Sequence, residues 1–209
     1  MSKHHRNRNW APAPQPLPED AHVIDNHTHV ASVVPFSQAM SHEAMEKGQG
    51  EVPVYSVDEL LEQAQDVGVE GVIDCGCELP NLMTAIDMAR EHPGTVHAAI
   101  AIHPNEAVLH GHRGAPGPDG LPIKYKPWHD IPFDEAMAEV HRLATTYPNQ
   151  VVAIGETGMD LFRTGESAKE LQREAFRAHI ALAKELNLPM QIHDRDSHKE
   201  VIETLLADG

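Results

Sequence analysis

Four segments of this chain end a short apolar run on a side chain able to bind a cation. They are His27-Thr28-His29, Ile102-His103-Pro104, Ile154-Gly155-Glu156 and Ile192-His193-Asp194. The runs before them are Val23-Ile24, Ala98 to Ile102, Val151 to Ile154 and Met190 to Ile192. Successive side chains alternate along a strand, so His27 and His29 share one face. Two imidazoles on one inward face can hold a metal ion, and Glu156 and His193 at later strand ends extend the set. Glu156 closes a nearly continuous apolar strand, where a carboxylate is costly unless paired or bound to a cation. Its two oxygens can bridge two ions. Metal-assisted hydrolysis is the chemistry this pattern suggests.

Each residue also has a plainer reading. The histidine pair could be structural. Glu156 could pair with Arg195 or a lysine, and His193 could be a buried, hydrogen-bonded imidazole. Arg195 could hold a substrate phosphate through its planar fork, or pair with Asp194, Asp196 or Asp160. His103 sits where it could touch substrate or serve only the turn before Pro104. Asp25 could orient a ligand histidine or simply close the strand. Asp160 reads as a supporting carboxylate or, slightly favoured, a surface turn.

These residues need a scaffold that brings strand ends together. Strands are expected at 22–25, 71–75, 96–102, 150–154 and 188–193. Helices are expected near 57–67, 81–91, 133–146, 167–186 and 197–207. Three of these helices carry a capping-box pattern: Ser56 with Glu59, Ser167 with Glu170, and Ser197 with Glu200. In the helix after Ser167, Leu171, Ala175, Ala178, Leu182 and Leu186 form one stripe. Residues 30–55 and 105–132 read as long connections. Strands alternating with helices argue for an α/β fold with a parallel sheet and right-handed crossovers. Ligands at strand ends specify a TIM (β/α)8-type barrel, whose reactive face is that end. Such a barrel takes about 250 residues. Five strand–helix units can be placed within these 209, so the chain should hold about the first five units.

Residues 1–20 carry Pro12, Pro14, Pro16 and Pro18 and no apolar period, and read as a disordered leader before a domain at 21–209. The formal net charge of −16 argues against wrapping duplex nucleic acid through its phosphates, though a local metal cluster could still hold one phosphate. No apolar run resembles a spanning segment or a signal peptide, so a cytoplasmic location is expected. Cys75 and Cys77 read as small buried residues in a reducing compartment. His4, His5, His110 and His112 read as solvated.

Taken together, these stretches resemble the TatD family of metal-dependent deoxyribonucleases, within the amidohydrolase-like barrels. The matching segments are Ile24 to His29, Ile102 to Pro104, Val151 to Asp160, Gln172 to Phe176 and Leu188 to Asp196. The resemblance implies two divalent ions (Mg2+, Mn2+ or Zn2+). His27 and His29 would hold one, His193 the other, and Glu156 both. It also implies a further histidine and aspartate from later strands, which these residues do not contain. The implied activity is phosphodiester hydrolysis in DNA, on single strands or ends, with Arg195 or His103 steadying the phosphate. No obligate protein partner is implied. Two other readings remain open: an amidohydrolase-type enzyme for C–N or small phosphoester bonds, and an inactive truncated barrel.

Overall fold

The computed structural model describes residues 16–18, 20–48, 53–112, 125–164 and 166–209. The chain divides into two compact units, Met1–Asp25 with Val30–Gly71, and Asn26–His29 with Val72–Gly209.

The first unit contains α1 (Val30–Glu46) and α2 (Val57–Asp66). The α2 start follows the sequence pattern. Ser56 accepts from the Glu59 amide, and the Glu59 carboxylate accepts from the Ser56 amide. Helix α1 corrects the expected connection at 30–55. Pro35 inside it reads as a breaker, and only Ser37 and Ala44 are buried along its length, so no apolar stripe announces it. Residues 1–15 and 19 of the expected leader, with His4 and His5, lie outside the described residues. Leu17 is tied down, its amide donating to the Val67 carbonyl at 2.8 Å.

The second unit holds the sheet from Asn26 of the first strand and Val72 of the second onward. Strands β1 (Val23–Thr28), β2 (Val69–Gly76), β3 (Val96–Ile100), β4 (Val151–Asp160) and β5 (Met190–Arg195) lie side by side in chain order. Pairing from β2 through β5 is parallel throughout. The returns are helical: α3 (Leu79–Glu91), α5 (Phe133–Thr146), α6 (Lys169–Leu186) and, last, α7 (His198–Asp208). A short helix, α4 (Pro104–Ala107), follows β3. Helix α5 buries Phe133, Ala136, Val140, Leu143 and Ala144, a helical spacing facing the sheet. The inner side of the sheet is lined by small residues, Cys75, Ala99 and Ala153. This suits strands that curl on themselves, and the Gln191 amide of β5 donates to the Asn26 carbonyl of β1. Outside, Met159 packs with Phe176, Ile180 and Val201.

Two expected capping boxes do not form. A 3-10 turn at Glu166–Ala168 absorbs Ser167, so Ala168 caps α6 without a side-chain bond. Ser197 donates to the Met159 carbonyl at 2.7 Å, and Glu200 pairs with Lys169 at 2.8 Å. Tertiary partners outcompete the local cap. The connection at 105–132 also differs, carrying α4 and 3-10 turns at His110–His112 and Pro127–Asp130, with 113–124 outside the described residues. His110 is fully buried rather than solvated, 2.8 Å from the Ile131 carbonyl. Packing of the two 3-10 turns against each other closes it off. Of His112, only its place in the turn is described.

Candidate metal centre

Strand β4 runs farther than its apolar core suggests, to Asp160, and carries Glu156 among the strand ends. Two glycines permit this. A Cβ on Gly155 would meet the Gln191 Cβ at 2.5 Å. Gly158 has φ +143°, and a Cβ there would overlap the His193 carbonyl. The close approach of β4 and β5 brings Glu156 against His193.

The Glu156 carboxylate is buried, and its two oxygens face two pairs of histidines. Oε2 lies 3.3 Å from His27 Nε2 and 3.7 Å from His29 Nε2. Oε1 lies 2.5 Å from His193 Nδ1 and 3.8 Å from His103 Nε2. Each group, His27–His29–Glu156 and His103–Glu156–His193, places its ligand atoms within 4.8 Å of one another. His27 and His29 are open, with side chains 42% and 44% exposed, whereas His103 and His193 are sheltered at 14% and 16%. Imidazole nitrogens and a carboxylate form a donor set that suits divalent cations.

Neighbours decide which ring nitrogen is free. His29 Nδ1 is 3.3 Å from the Cys75 carbonyl, which takes its proton and leaves Nε2 as donor atom. His193 Nε2 is 3.2 Å from Asp160 Oδ2, which leaves Nδ1 for a proton or a cation facing Glu156. His103 is different. Its Nδ1 accepts from the Asn105 amide at 3.1 Å, so the neutral ring carries its proton on Nε2, directed at His193 and Glu156. That makes His103 a hydrogen-bond donor into the pocket rather than a ligand.

The electrostatics agree. Burial raises the Glu156 pKa, but the His193 hydrogen bond and the charges of His103, His193 and His27 outweigh it and hold the carboxyl at about 2. Burial lowers the His193 pKa, yet the Glu156 and Asp160 contacts raise it on balance. Burial, with the charge of His193, lowers His103 to about 4, so it stays neutral. Burial pushes the Cys77 thiol well above its usual range, and its Sγ stands 3.7 Å from Glu156 Oε2 as a neutral wall.

A pocket of about 410 Å3 opens over this cluster. It holds every residue singled out from the sequence for the site: His27, His29, His103, Glu156, His193 and Arg195. Arg195 makes no ion pair with Asp194, Asp196 or Asp160 among the described residues; its guanidinium lies 4.0 Å over the Phe162 ring. Asp194 instead serves His198 and Ser197. Asp160 is fully buried, correcting the surface-turn reading, and it receives Asn105 Nδ2 and the amides of Phe162 and Arg163 as well. Asp25 is exposed. Cys77, Glu78, Asn105, Glu106 and Arg163 also line the pocket, and the sequence reading did not select them for it. Their one sequence signal is position, each within a few residues of a strand end.

Residues 24–208 match the family described as TatD related DNase. A Bacillus subtilis protein named uncharacterized metal-dependent hydrolase YabD is 33% identical over 153 residues, 73% of this chain and 50% of that protein. The Erwinia tasmaniensis protein named 3'-5' ssDNA/RNA exonuclease TatD is 32% identical over 148 residues, 71% of this chain and 48% of that protein. The chain thus spans about half the length of the curated relatives it matches. The crystal structure of YJJV, a TatD homologue from Escherichia coli, aligns over 89% of this chain and 56% of that one, with TM-score 0.59 and 24% identity. The shared fold is the TIM barrel that the five β/α units begin. No helix among the described residues is long and apolar enough to cross a membrane.

Proposed function

The chain belongs to the TatD-related DNase family, and we propose that its pocket serves hydrolysis of phosphodiester bonds in DNA, taken from single strands or ends. The observation that carries this is the Glu156 carboxylate with one oxygen toward His27 and His29 and the other toward His193. In this reading His27 and His29 hold one divalent ion, His193 the second, and Glu156 both. Divalent cations held by these residues would polarise the phosphodiester and lower the pKa of an attacking water.

The chain's own groups supply the rest. Asp160 keeps the His193 proton on Nε2, so the Nδ1 lone pair would be free for a cation shared with Glu156. The neutral His103 presents Nε2–H toward the pocket, a donor for a non-bridging phosphate oxygen that carries no charge of its own. Arg195, stacked on Phe162, offers a planar fork to the same phosphate. The imidazoles suit Zn2+, and the carboxylate suits Mn2+ or Mg2+ as well. The name of the Erwinia relative brings RNA ends within range as well. A cytoplasmic enzyme without an obligate protein partner belongs to the same reading. The amidohydrolase-type alternative is less favoured, because the bridging position holds a glutamate rather than a modified lysine.

The test is incubation of purified protein with single-stranded oligonucleotide labelled at either end, with Mn2+ or Mg2+ and with EDTA. Metal-dependent release of mononucleotides from one end is expected. No product where a control nuclease digests the same strand would overturn the reading.

A further inference from the structure

Thirty-two acidic and 16 basic side chains leave few cations without a partner. Among the described residues Arg90, Arg142, Arg173 and Arg177 all pair with carboxylates. The lysines do likewise, apart from Lys184, which donates to the Asp208 carbonyl. Arg163 and Arg195 alone of the described arginines pair with no acid, and both line the pocket over Glu156. In so acidic a chain, two guanidinium groups without an acid partner in one pocket point to an anion.

Their supports are built in. Arg195 lies 4.0 Å over the Phe162 ring, which holds its plane without using its donors. Arg163 stands on a locked turn. Its amide donates to Asp160 Oδ1 at 2.8 Å, and Thr164 Oγ1 donates to the Asp160 carbonyl at 2.5 Å. Gln172, fully buried, accepts from the Asp160 amide at 2.8 Å. So fixed a base leaves only the side chain itself to be ordered when a ligand is engaged.

We propose that Arg163, beside the Arg195 that meets the scissile phosphate, forms a subsite for the phosphate adjacent to it, making a strand with successive phosphates the preferred substrate over a lone phosphodiester. This rests on the proposed nuclease reading and adds Arg163 as a specificity-determining residue. The fit is geometric and electrostatic: one cation at the end of β5 and one on the turn after β4 line the same pocket.

The test is binding of a fluorescent single-stranded DNA tetramer to the full chain in EDTA, by anisotropy, so that no turnover is needed. Arg163→Ala should weaken binding about tenfold, as loss of a charge-assisted contact does, and should lower the salt slope by about 0.7. Arg142→Ala, on an exposed helix, should change neither. A tetramer carrying one neutral methylphosphonate beside the terminal linkage should bind wild type as weakly as the natural tetramer binds Arg163→Ala, and should lose nothing further in that variant. Equal binding by wild type and Arg163→Ala, or no binding by wild type, overturns the subsite. Arginine-dependent binding without hydrolysis in Mn2+ would instead sink the nuclease reading alone.

Discussion

His179 links acid stability to the position of the site. It is fully buried on α6, with Nδ1 2.7 Å from the Ala175 carbonyl and Nε2 accepting from the Ile102 amide at 3.1 Å. That second bond holds the chain just before His103. Burial lowers its pKa to about 4, from an ordinary 6.5. Between these values the unfolded chain binds a proton at this ring and the folded chain does not. The contribution is therefore whole above pH 6.5 and is lost as pH falls toward 4. The displacement corresponds to roughly 3 kcal/mol, at about 1.36 kcal/mol per pH decade. His103 titrates in the same direction, so the measurement is a difference: urea unfolding of wild type and His179→Leu from pH 7 to pH 4, in EDTA. At pH 7 the variant should be weakened by about 1–3 kcal/mol, because the buried Ile102 amide loses its acceptor. On acidification wild type should lose roughly 3 kcal/mol more than the variant. Parallel pH profiles would refute the reasoning.

Three substitutions probe the site itself. Glu156→Gln should abolish nucleotide release and weaken Mn2+ binding by more than the roughly 10–100-fold typical of a residue that only orients a ligand, read by isothermal titration. Asp160→Asn keeps the size but not the charge facing His193, and should cost Mn2+ affinity about 10–100-fold in the same titration; because both Asp160 oxygens already accept hydrogen bonds, the amide should also weaken the metal-free protein by about 1–3 kcal/mol in denaturant unfolding. Gly158→Ala places a methyl group against the His193 carbonyl at a φ of +143°, and should cost more than about 2 kcal/mol in denaturant unfolding.

Where side chains report on their own segment, the sequence was readable. Helix α5 and the Ser56–Glu59 cap appear where the sequence places them. The strand-end residues His27, His29, His103, Glu156 and His193 converge, because parallel strands with short returns must bring like ends together. What was illegible depends on partners distant in sequence. Ser197 abandons its helix for the Met159 carbonyl, 38 residues away. Asp160 reads as a turn because its local bonds to the Phe162 and Arg163 amides are real. Its role facing His193 arises only when β5 is laid beside β4. Arg163 carries no local sign of its task, since an unpaired cation is visible only once every other cation has been given its partner. Helix α1 escapes because it buries too little to impose a period.

The central claim is that Glu156 joins two cation positions, one with His27 and His29 and one with His193. Titration of the metal-free protein with Mn2+, followed by electron paramagnetic resonance, tests it most directly. The account predicts that free Mn2+ signal is absorbed up to two ions per chain, that an exchange-coupled spectrum grows with the second, and that Glu156→Gln removes the coupling. Mn2+ that stays free in solution, or coupling that survives Glu156→Gln, would contradict it.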